Sequence, residues 1–164
     1  MKEDYSQLVE RAKELKCLYM VDELLHNKEL LLSEAMKSLI DMIPGGFTDP
    51  SACRIKITLW NDTYAADDFS HAEILYRIPI VAMEESIGEI AMGYIAELLD
   101  HESGIVDSEI KMLDTIARLI SRFAFGTRRE LSQMLNLPVA RCSRSFRVST
   151  IEKWGHSQPQ YKRP

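Results

Sequence analysis

The sequence has no long apolar run: nothing in its 164 residues approaches the roughly 20 consecutive apolar residues that a membrane-spanning helix requires. Its first residues, MKEDYSQLVERAKELK, are charged where a signal peptide needs an apolar stretch, so a cytoplasmic protein without a membrane partner is expected. Cysteine is scarce. Cys17, Cys53 and Cys142 are widely spaced and form no CxxC pair, which argues against both a disulfide framework and a zinc site. His26, His71, His101 and His156 are scattered too, none with a second ligand at helical or hairpin spacing, so no metal and no cofactor is expected.

Catalytic signatures are also missing. Gly45-Gly46 lacks the GK[ST] ending of a phosphate-binding loop and reads instead as a helix stop. The adjacent carboxylates of Asp67-Asp68 and Glu84-Glu85 point in different directions in any loop or turn, so they read as solvated surface. No nucleophile stands at a convincing spacing from a base, and the expectation is a protein that is not an enzyme.

What is present is an ordinary globular composition, 46% hydrophobic and 27% charged, enough for one domain with an appendage. The net charge of −5 is unevenly divided. Residues 1–126 carry 12 Lys/Arg against 23 Asp/Glu, a net of −11, whereas residues 127–164 carry 8 against 2, a net of +6. An acidic domain of 1–126 followed by a basic tail of 127–164 is therefore expected, and only the tail has a charge suited to nucleic acid.

Periodicity divides the acidic part into elements. From about Asp4 to Asn27 good helix formers run without Gly or Pro, with Leu8, Ala12, Leu15 and Tyr19 recurring at four and three. A second set, Leu18, Val21 and Leu25, begins where the first fades, so one face can meet a partner and another the core. Ser33 opens a second helix that Pro44, Gly45 and Gly46 end. Cys53, Ile55, Ile57 and Leu59 then alternate with polar residues, the period of a strand with one buried face. Asn61 to Ser70 reads as a polar loop. ILYRIPIVAM and SIGEIAMGYI follow as two strands of a hairpin, with Pro79 demanding an edge position or a bulge. Asp107 is the expected N-cap of a last helix ending near Gly126, whose apolar positions cover about half its circumference, more than one small sheet covers.

Helix, helix, strands, helix is an α+β order with an antiparallel sheet. On that order, and on LVERAKELKCLYMVDELL, ACRIKI (Ala52 to Ile57), IPIVAMEESIGEIAMGYI (Ile78 to Ile95) and VDSEIKMLDTIARLIS (Val106 to Ser121), the chain resembles the GAF domain family of bacterial signalling proteins. The resemblance implies a sheet with the first and last helices on one face, often a ligand pocket on the other, and a sensor that signals through its terminal helices. Asn61 to Ala72 departs from that pattern, being too short to hold the helices that roof such a pocket.

Two sets of residues follow as candidates. Trp60, Tyr64, Phe69, His71, Tyr76 and Tyr94 would either enclose a small planar ligand of unspecified identity or simply close the sheet's open face. Leu8, Ala12 and Leu15 with Ile116, Leu119 and Phe123 would either form a parallel homodimer bundle or belong to the domain core. The tail from Arg129 to Gln160 resembles in part a lambda-repressor-like helix-turn-helix, which implies Arg144, Thr150 and Lys153 near DNA, although its turn is about two residues short. The alternative is a basic extension that folds back on the acidic domain or holds nucleic acid weakly. The expected function is a non-catalytic sensory or regulatory module, with a DNA-binding transcription regulator as the second reading.

Overall fold

The structure is a computed structural model in which residues 2–99 and 104–135 are described. Helix α1 spans Lys2–Leu25, α2 Leu32–Met42, and a 3₁₀ turn Ile43–Gly46 leads towards the sheet. Strands β1 (Cys53–Leu59), β2 (Asp62–Ala65), β3 (Glu73–Ala82) and β4 (Glu85–Tyr94) precede α3 (Asp107–Met134). All neighbouring strands are antiparallel, in the order β2-β1-β4-β3. The chain is thus α+β, its N-terminal and C-terminal helices flanking an antiparallel sheet.

The sheet has one apolar and one polar face, as strand alternation requires. On β1, Cys53, Ile55, Ile57 and Leu59 are buried, and opposite them on β4 lie Tyr94, Met92, Ile90 and Gly88. Tyr76, Ile78 and Ile80 of β3 continue this face, which joins one hydrophobic cluster with Leu32, Met36 and Leu39 of α2 and Leu113, Ile116 and Ile120 of α3. Helices α2 and α3 contact the sheet, whereas α1 packs mainly on α3, α2 and the 3₁₀ turn. The other face carries Arg54, Lys56, Thr58, Arg77 and Glu89, with Arg77 and Glu89 paired across strands at 2.5 Å.

Pro79 lies on β3, an edge strand with two register shifts, as the missing N–H donor demands. The β3–β4 hairpin turns through Met83 and Glu84, both with positive φ (50° and 66°). A two-residue turn of this kind favours Asn-Gly, because side chains are strained in the left-handed region. Replacing the pair (Met83→Asn with Glu84→Gly) is expected to raise stability by about 1 to 2 kcal/mol, read from urea melts.

Three local expectations are corrected. The polar stretch from Asn61 to Ser70 contains β2, a four-residue edge strand that pairs with β1 through the tight turn Trp60-Asn61. Helix α3 does not end near Gly126 but continues to Met134, since one glycine costs a helix only about 1 kcal/mol. Asp107 is the first helical residue rather than the cap: the N-cap is Val106, and its N–H donates to the Glu109 carboxylate at 3.0 Å.

Candidate functional site

The six aromatic or imidazole candidates are divided between the two faces of the sheet. Tyr64, Tyr76 and Tyr94 stand opposite Ile57, Met92 and Cys53 in register, on the helix-covered face. Phe69 is buried outside the main core cluster, with the Lys56 ammonium 5.1 Å from its ring centroid. The neighbouring Asp68 carboxylate accepts two hydrogen bonds from Arg54, from Nε at 2.6 Å and Nη2 at 2.8 Å. These bonds hold the Asp68 carboxyl below its ordinary pKa. A short loop thereby covers part of the polar face. His71 is exposed. Trp60 occupies the β1–β2 turn at φ 51°, its indole packed on the core edge and the Arg128 guanidinium 5.4 Å from its ring.

Beside β1, an open cleft of about 770 Å³ is bounded by Lys37 and Asp41 of α2, Pro50, Arg54 and Asp67. Its walls carry both signs of charge.

A buried polar joint ties the sheet to α3. Glu109 is 1% exposed, and its Oε1 accepts hydrogen bonds from the Thr48 backbone N–H and hydroxyl, both at 2.8 Å. Its other oxygen takes the Val106 N–H, so one carboxylate caps α3 and anchors the segment before β1. The Tyr94 hydroxyl nearby is buried without a partner among the described residues, and burial together with the Glu109 charge raises its pKa. Sequence reasoning did not single out Glu109, because a Glu three residues into a helix is ordinary and Thr48 is distant in sequence.

Both described cysteines are protected. Cys17 donates weakly to the Ile43 carbonyl at 3.7 Å, and burial pushes its thiol from 9.0 up to about 11. Burial raises Cys53 as well, with the Glu109 charge adding to the effect. In a Cys142→Ser chain, thiol reagents at pH 8 are expected to leave both cysteines unmodified until the protein unfolds. The folded thiol of Cys17 holds its proton to higher pH than the unfolded one, so its stabilising contribution is complete below about pH 9. It is lost as the pH rises through about 11, and denaturant midpoints should fall over that window.

The helices divide the six interface candidates. Ile116 is fully buried within the chain, and Leu119 and Phe123 are partly buried against its core. The wide apolar arc of α3 is therefore covered largely by the sheet and α1. Helix α1 behaves differently. Cys17 and Val21 enter the core, while Tyr5, Leu8, Leu15 and Tyr19 on its outer face are 72%, 67%, 68% and 68% exposed, with Ala12 exposed between them.

Arg144, Thr150 and Lys153 lie outside the described residues, as do Cys142, His101 and His156. Among the described residues no group of His, Cys, Asp or Glu is placed to hold a metal ion, and no helix is long and apolar enough to cross a membrane. No family model matches the chain, and no curated protein matches it.

Proposed function

We propose that this chain is a non-catalytic regulatory module of GAF-like type that self-associates through α1 and passes changes in its sheet or cleft to α3. The observation that carries this reading is the apolar outer stripe of α1, left open on a helix whose other face is docked in the core. Monomeric proteins rarely leave large contiguous apolar patches in water. The order of helix, helix, antiparallel sheet and helix, already likened to that family, supports the same reading. Helix α3 supplies the output, because it contacts β3, β4 and α1 and then continues past them.

Sedimentation equilibrium of the full chain tests the first half of this reading. A dimer is expected at tens of micromolar, and Leu15→Glu should shift it to a folded monomer whose melting temperature no longer rises with protein concentration. A wild-type chain that stays monomeric at those concentrations removes the reading. The full chain is needed, since a cut at Gly126 would divide α3.

A further inference from the structure

The stripe on α1 is close to a palindrome. Counted from Ala12, tyrosine stands at −7 and +7 (Tyr5 and Tyr19) and leucine at −4 and +3 (Leu8 and Leu15). A two-fold axis through Ala12 perpendicular to the helix therefore brings Tyr5 onto Tyr19 of a second copy and Leu8 onto Leu15. The smallest residue stands at the crossing point, where two backbones approach most closely.

The support that α1 receives is uneven along its length. Ser108 of α3 donates to Glu14 at 2.5 Å, and Cys17 and Met112 of α3 both lie against Gly46. From Glu14 onwards the helix is thus held by the domain. Residues 5–12 before it include no buried side chain, and an isolated helix of under about 12 residues is marginal in water.

We propose that α1 pairs with α1 of a second copy in antiparallel fashion, crossing at Ala12. This proposal rests on the self-association put forward above and specifies its geometry. Antiparallel pairing lays the unsupported half of each helix on the exposed face of the other's supported half. A parallel pair would leave the two unsupported halves with only each other. The four tyrosines alone bury on the order of 600 Å² at roughly 150 Å² each. With four leucines added, complete burial of the stripe comes to approximately 1,000 Å², the threshold that a specific interface has to clear.

Cross-linking distinguishes the geometries. In a Cys142→Ser background, chains carrying Leu8→Cys and chains carrying Leu15→Cys are oxidised separately and after mixing. The antiparallel pair predicts disulfide-linked dimers chiefly in the mixture. In either chain alone the introduced thiols lie about 9 to 12 Å apart along the axis, beyond the reach of a disulfide. Strong cross-linking of each chain by itself overturns the antiparallel geometry while leaving self-association intact. No cross-linking, with monomers in sedimentation, overturns both. As a second measurement, Ala12→Glu should weaken self-association by about 100-fold, since it buries a charge at the crossing. Unchanged association of that folded variant places the contact elsewhere and also overturns the proposal.

Discussion

Truncation of Phe47 to alanine is expected to remove about 4 kcal/mol of folding stability, near the middle of the range for a fully buried aromatic ring. Phe47 has no solvent exposure, and the residues on either side of it are fixed. A Cβ on Gly46 would lie 2.5 Å from Met112 Sδ and 2.8 Å from Cys17 Cβ, so the backbone there is already against α1 and α3. On the other side, Thr48 is bonded twice to Glu109. With both neighbours held, the segment cannot slide inward to fill the space the ring vacates. For a domain of this size the melting temperature should fall by about 10 °C or more. Urea melts check the expectation: the midpoint should drop without a change in slope. A loss under about 1.5 kcal/mol would mean that the segment collapses after all.

Glu109→Ala is the second large effect, at about 3 kcal/mol. Three donors lose a charged acceptor together, and α3 loses its cap. The Thr48 and Val106 residues are themselves exposed, so water reaches the freed N–H groups and limits the cost. Glu109→Gln should cost less than alanine but more than nothing. An amide offers one acceptor oxygen, whereas donors approach both oxygens of this carboxylate. A double-mutant cycle with Thr48→Val measures the share of the hydroxyl bond. If Glu109→Gln equals wild type, the carboxylate charge has no part in the joint.

Much of the fold was legible because it rests on apolar periodicity. Cys53 to Leu59 alternate strictly and form the strand expected of them, and Pro79 stands on an edge as its chemistry requires. The two overlapping sets on α1 also separate as their spacing implies: Val21 is in the core with Leu18 and Leu25 against it, while Leu8 and Leu15 are exposed. What was not legible depends on pairings and contacts that a segment's own apolar pattern does not record. Strand β2 has no apolar signature of its own and exists because β1 offers it an edge. Gly45-Gly46 reads as a helix stop, yet the 3₁₀ turn runs through both, and Gly46 is constrained by contacts with residues 29 and 66 positions away. The aromatic candidates show the same limit. Strand register, which composition does not reveal, sends Tyr76 and Tyr94 to the helix side while the loop brings Phe69 to the other.

The stacking of Arg128 on Trp60 makes the molecule its own optical gauge. Of the two tryptophans, Trp154 lies outside the described residues, so a Trp154→Phe chain leaves Trp60 as the sole indole emitter. That indole is held at a strained turn on the sheet's edge, and the cation above it belongs to the last third of α3. Any event that lifts or rotates the end of α3 withdraws the guanidinium and changes the intensity and colour of the fluorescence. The position of the end of α3 can therefore be followed in solution, in real time, without attaching a dye.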